Sequence, residues 1–83
     1  MTALTIYSRP GCHLCDEMKA LVLRVQASHA FALTEVDITT DPALEAAYGL
    51  EIPVLMVDGK KAAKYRVTEA QLRGRLRKGE LGD

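Results

Sequence analysis

At 83 residues the chain is one domain's worth of polypeptide, close to the lower limit at which a single apolar core holds a fold. Its 48% apolar content excludes an intrinsically disordered polymer, and a formal net charge of zero excludes the overall bias of a nucleic-acid or membrane-surface binder. The charge is nonetheless divided: residues 60–83 carry eight Lys and Arg against three acidic side chains, whereas residues 1–59 carry three against eight, the pattern of a solvated basic helix or of a docking face for an anionic partner.

Ala3 to Tyr7 reads as a short buried strand, and Ser8-Arg9-Pro10-Gly11 follows as a turn with two breakers. A helix is expected from Cys12. Leu14, Met18, Leu21, Val22 and Val25 fall on one helical face, and the pattern fades near Ser28-His29. Asp16 and Glu17 sit in the first turn, where they complement the positive end of the dipole. Phe31 to Ile38 is rich in β-branched and aromatic residues and reads as a second strand. Asp41 as N-cap and Pro42 at the first position start a short helix, Ala43 to Tyr48, with Gly49 as its C-terminal cap. Pro53 to Val57 is an apolar third strand, Asp58-Gly59 a hairpin turn, and Lys60 to Tyr65 a fourth strand polar enough for a sheet edge. Thr68 and Glu69 open a last helix with Leu72 and Leu76 facing inward, and 79–83 is expected to be the frayed tail of a single domain over 1–83. The order β-α-β-α-β-β-α predicts parallel pairing of the first two strands through a right-handed crossover, with a hairpin at the end.

The chemistry is concentrated in Gly11-Cys12-His13-Leu14-Cys15, at a strand-to-helix junction. Residues i and i+3 on a helix have Cβ atoms about 5–6 Å apart. A small adjustment brings them to the roughly 3.5–4.5 Å that a disulfide requires. Cys12, at or just before the first turn, can accept hydrogen bonds from unpaired N–H groups, and the dipole there favours a thiolate. Thiolates in such motifs have pKa values of roughly 3.5–7.5. Cys12 is therefore the expected nucleophile, and Cys15, one turn in and more buried, the resolving thiol.

His13 leaves an additional N–H near the Cys12 sulfur and, when protonated, would favour the thiolate; an exposed turn histidine of little effect is the competing reading. Asp16 and Glu17 oppose a thiolate, and Arg9 offsets them. A C-x-x-C pair also serves zinc, but a structural zinc needs four ligands, and His13 and His29 are poorly placed to complete them in one chain. No metal ligand is assigned. On its own, Pro53 is ordinary punctuation at a strand start.

The chain from Leu4 to Leu76 resembles the glutaredoxin branch of the thioredoxin-like superfamily, and most of all its short bacterial glutaredoxin-like proteins. The matching pieces are Thr5-Ile6-Tyr7-Ser8-Arg9, Cys12-His13-Leu14-Cys15, Val36-Asp37-Ile38, Tyr48-Gly49-Leu50-Glu51-Ile52-Pro53-Val54-Leu55 and Val57-Asp58-Gly59. The resemblance implies a thioredoxin-like, glutaredoxin-type α/β fold with a four-stranded mixed sheet flanked by helices. It also implies a cis Ile52–Pro53 bond against the disulfide, with the Ile52 backbone offered to substrate in a β-like pairing. Arg9 is similar to the family's contact to a glutathione carboxylate. His13 and Leu14 stand where the family has Pro-Tyr, so the aromatic wall of the substrate site is absent. In place of the family's Gly-Gly and acidic residues stands Ala63-Lys64-Tyr65-Arg66-Val67-Thr68-Glu69, in which Thr68 and Glu69 at a helix N-terminus could bind a carboxylate.

The activity implied is thiol–disulfide exchange: the Cys12/Cys15 dithiol reduces protein disulfides or glutathione mixed disulfides. The expected state is a monomer with no bound cofactor, glutathione as co-substrate, and no nucleic-acid or membrane partner. Met1-Thr2-Ala3 leads straight into a strand and no run approaches the ~18 apolar residues of a membrane span, so a cytoplasmic location is expected, where a structural disulfide would be unusual. Two rivals remain at this level: a thioredoxin-like binding module carrying a metal or iron–sulfur cluster between chains, and a redox-inert scaffold whose cysteines only pack.

Overall fold

The computed structural model describes the backbone of residues 2–80 and the side chains of residues 2–77. Four strands and three helices follow in the predicted order: β1 (Ala3–Ser8), α1 (His13–Gln26), β2 (Ala32–Asp37), α2 (Pro42–Tyr48), β3 (Val54–Val57), β4 (Lys60–Lys64) and α3 (Glu69–Glu80). One 3-10 turn, Ile38–Thr40, links β2 to α2. The sheet order is β2-β1-β3-β4, with β1 parallel to β2 and antiparallel to β3, and β4 antiparallel to β3. This is the expected mixed α/β sheet, and β4 does lie at an edge.

Alternation along the strands assigns the two faces. Leu4 and Ile6 of β1 and Leu55 and Val57 of β3 join Met18, Val22 and Val25 of α1, Leu72 and Leu76 of α3, and Phe31 in one buried core. Both long helices therefore cover the same face. Truncating Leu72 or Leu76 to alanine would cost about 2–5 kcal/mol by loss of burial and the cavity left behind. Tyr7 points to the other face, where its ring stacks on Tyr48 of α2 with centroids 4.5 Å apart.

Three local expectations shift. The buried stripe of α1 is Cys15, Met18, Val22 and Val25, with Leu14 and Leu21 on its half-buried flank. The stripe is rotated toward the sheet because Cys15, a small apolar side chain when unionised, takes the innermost place in the first turn. Gly49 does not adopt the left-handed cap conformation: its φ is −55°. A Cβ there would stand 2.5 Å from the Glu45 carbonyl oxygen and 3.3 Å from Arg9 Nη2, so close approach is what requires glycine. Finally, α3 continues through Glu80, into the stretch expected to fray; the remainder of that tail lies outside the described residues.

Candidate active site

The turn into α1 is shaped by Gly11, whose φ of +76° is a left-handed conformation that glycine adopts without steric cost. Cys12 follows in extended conformation (φ −90°, ψ 110°) as the N-cap of α1. Its Sγ accepts a hydrogen bond from the Cys15 backbone N–H at 3.2 Å. A sulfur thus occupies the place that a serine or aspartate oxygen usually takes at a helix start. Cys12 and Cys15 form a disulfide with Cα atoms 5.2 Å apart, within the range that the bond demands. Cys12 is partly exposed, whereas Cys15 is 3% exposed. The two sulfurs are thus distinguished by access.

Strand register brings Pro53 to the same end of the sheet. Tyr7 pairs with Val54, so Pro53 precedes β3 where β1 runs out toward the Cys12 turn. The Ile52–Pro53 peptide bond is cis. Among the described residues, neither the N–H nor the carbonyl of Ile52 enters a hydrogen bond. A half-buried backbone with both groups unspent can pair with an extended chain.

The segment before Pro53 is tied down by residues that the sequence did not single out for this task. Tyr65 donates its backbone N–H to the Pro53 carbonyl at 2.8 Å and its hydroxyl to the Leu50 carbonyl at 2.8 Å. It does so from φ +66°, uncommon for a bulky residue. Lys61 on β4 adds an ion pair to Glu51, and its hydrogen bond holds the Glu51 carboxyl below the usual glutamate range while the Lys61 amine is raised. No local pattern marks Tyr65, because its role depends on where β4 ends relative to the Leu50–Pro53 loop.

Arg9, expected to reach a substrate carboxylate, is engaged within the fold. Its Nη2 donates to Glu45 Oε1 at 2.7 Å and to the Gly49 carbonyl at 3.1 Å, fastening the Cys12 turn to α2. His13 is 90% exposed and lies 3.5 Å from Glu17. Leu14 shares a hollow of about 630 Å³ with Glu17, Met18, Leu21, Thr68 and Glu69. The structure therefore does bring Thr68 and Glu69 alongside the redox helix.

The start of α3 is nonetheless closed upon itself. Thr68 Oγ1 accepts from Gln71 N at 3.1 Å, Gln71 Oε1 accepts from Thr68 N at 2.9 Å, and Glu69 holds Arg73 at 3.0 Å. The free N–H groups anticipated for a carboxylate are in part spent on this reciprocal cap. Near the end of β2, the Thr39 hydroxyl and then its N–H lower the pKa of Asp37, which caps the 3-10 turn. No group of three or more His, Cys, Asp or Glu side chains among the described residues is arranged to hold a metal ion. No helix among them is long and apolar enough to cross a membrane.

A β-α-β unit, a β-hairpin and a packed α3, with a cysteine pair at disulfide distance on the first turn of α1, define a thioredoxin-fold protein of glutaredoxin-like type. The chain belongs to the glutaredoxin-like domain family (DUF836), whose profile matches residues 3–77. It is 37% identical to the X. campestris protein XcR50, solved by X-ray diffraction, over 90% of this chain and 96% of that one, with a TM-score of 0.70. It is 29% identical to Ne2328 of Nitrosomonas europaea, over 89% of each chain, with a TM-score of 0.78. A mutant thioredoxin from Halobacterium salinarum shares the fold at a TM-score of 0.66 and 22% identity, over 93% of this chain and 73% of its own.

Proposed function

We propose that this protein is a thiol–disulfide oxidoreductase that uses the Cys12/Cys15 dithiol to reduce disulfides of protein substrates, and glutathione mixed disulfides as a second class. The reading rests on one observation above all: the more exposed sulfur caps a helix and accepts the Cys15 amide. That donor and the helix dipole stabilise a negative charge on Cys12 once the bond is reduced. The Cys12 thiolate attacks one sulfur of the substrate disulfide, and the other sulfur leaves as a thiolate that takes up a proton. Cys15 loses its proton and attacks Cys12, expelling the substrate's second thiolate. Two electrons pass to the substrate, and the Cys12–Cys15 disulfide remains. Protein disulfides rank first because Arg9 is held by Glu45 and Gly49, and the α3 start by its own cap. Work in a reducing cytoplasm, as a monomer and without a bound cofactor, completes the proposal.

The test is alkylation of the reduced protein by iodoacetamide as a function of pH. Cys12 should titrate within the range of roughly 3.5–7.5 found for such motifs, and an ordinary thiol value near 8.5 overturns the reading. In a Cys15→Ser variant the attack should stop at a covalent Cys12–substrate disulfide. Capture of glutathione alone, without protein, would invert the order of substrates proposed.

A further inference from the structure

The reading above leaves the basic half of the chain without a task. Between β4 and α3 runs a trough of about 480 Å³ with an apolar floor that includes Leu55, Ala63, Val67 and Ala70. Lys64, Arg66 and Arg75 line it, and among the described residues no acidic side chain does. None of these three cations forms an ion pair among the described residues, whereas Arg9, Lys19, Arg24, Lys61 and Arg73 each do. The Lys64 ammonium stands 5.6 Å from the centre of the Tyr65 ring; cations free of carboxylate partners among the described residues, beside an apolar floor, form a surface for carboxylates carried on an apolar backbone.

The trough also adjoins the hollow beside Leu14. Arg66 and Val67 line both the trough and the hollow beside Leu14, and Tyr65, their neighbour, is bonded to the Pro53 carbonyl. From Glu69, the first residue of α3, to Arg75 is about 9 Å at helical rise, a span that an extended chain covers in about three residues.

We propose that the β4–α3 trough docks an acidic, extended segment of the partner protein whose disulfide is reduced at Cys12. This deepens the oxidoreductase reading and rests on it. The acidic residues lie a few positions from the partner's reactive cysteine. The residue next to that cysteine is apolar, because the hollow beside Leu14 is floored by Leu14, Met18, Leu21 and Val67, and its Glu69 is paired with Arg24 and Arg73. A second copy of this chain is a weaker occupant: in its acidic half Glu35, Glu45 and Glu51 are paired with Lys19, Arg9 and Lys61, and Asp37, Asp41 and Asp58 accept backbone hydrogen bonds from Thr39, Ala43 and Ala3.

The experiment mixes pre-reduced protein, in single turnover, with a synthetic peptide whose cysteine is blocked by 2-mercaptoethanol and followed by an apolar residue and a run of glutamates. A peptide with glutamines in that run is the control. At low salt the glutamate peptide should react about tenfold faster, and high salt should erase the advantage. The triple variant Lys64→Glu/Arg66→Glu/Arg75→Glu should lose the preference, and the double variant Lys64→Glu/Arg75→Glu, which leaves the hollow beside Leu14 intact, should weaken it while reducing bis(2-hydroxyethyl) disulfide at the native rate. Gly74→Phe offers a second route, since a Cβ at Gly74 meets nothing within 4 Å; filling the trough should slow the glutamate peptide alone. Equal rates for the two peptides with the native protein, or a preference that survives the triple variant, overturn the proposal while leaving the oxidoreductase reading intact. A glutamate peptide with serine for cysteine, followed by fluorescence anisotropy, reads the surface without the chemistry. Its binding, lost in the triple variant, supports the trough even if no disulfide is reduced. A native dimer in sedimentation that the triple variant disperses would name a second copy as the occupant and overturn the proposal.

Discussion

Two helix starts in this protein solve the same problem differently. Both α1 and α3 present backbone N–H groups that need an acceptor. At α3, Thr68 and Gln71 accept from each other's backbone, and Glu69 turns to Arg73. At α1, the acceptor for the Cys15 amide is the Cys12 sulfur. A hydroxyl cap is chemically inert and only stabilises; a sulfur cap also forms and breaks a bond to its neighbour one turn on. The comparison teaches that the cysteine pair sits in an ordinary helix cap with one atom changed, and that this atom is what separates the proposed reactive start from the purely structural cap of α3.

The sharpest way to break this comparison is Cys12→Ser. Disulfide reduction should fall by at least about a thousandfold, since a hydroxyl is not a competent nucleophile toward sulfur. Serine is itself a good N-cap, so the variant's thermal midpoint should stay near that of the reduced native protein. A large drop in the midpoint would mean that the sulfur matters to α1 in a way that an oxygen cannot replace. Next in size is Gly49→Ala. The added carbon meets the Glu45 carbonyl at 2.5 Å and crowds Arg9, which should cost about 1–3 kcal/mol as overpacking. Because Arg9 fastens the Cys12 turn to α2, the iodoacetamide reactivity of Cys12 should shift with it.

Thr68→Ala is the mirror image of the cysteine variant. It should cost about 1 kcal/mol, read as a fall of about 4–8 °C in thermal midpoint, while reduction of small disulfides proceeds at the native rate. A loss of activity exceeding the loss of folded protein would assign α3's start a direct part in the chemistry. The smallest effect is one of pH. The Glu51–Lys61 pair has a lowered acid and a raised base. Its tie is complete above the usual glutamate range and is lost as pH falls through the lowered Glu51 value; at the other end it is lost as pH rises through the raised Lys61 value. The protection factor of the Tyr65 amide, taken against the intrinsic exchange rate at each pH, should therefore fall in acid, and Glu51→Gln should remove that acid-dependent change.

Much of this architecture was readable locally. Helix and strand periods, the Asp41-Pro42 start, the Asp58-Gly59 turn and the cysteine spacing are all set by residues within one or two turns of each other, where backbone sterics and capping act. Cys12 at a helix start, and Cys15 as the more buried sulfur, follow from that same local logic. Arg9 shows where it stops. A guanidinium three residues before a nucleophile looks free in one dimension, but Glu45 and Gly49 come to it from α2, across an intervening helix and strand.

The sequence by itself determined the order of elements, the redox pair and the division of charge between the two halves, because each depends on short-range pattern or simple composition. Only the tertiary structure decided that Arg9 is engaged by α2, that Tyr65 secures the loop before Pro53, and that Lys64, Arg66 and Arg75 line one trough. Those depend on which distant residues the packed sheet and helices bring within hydrogen-bond and Coulomb range, and no local period encodes that distance.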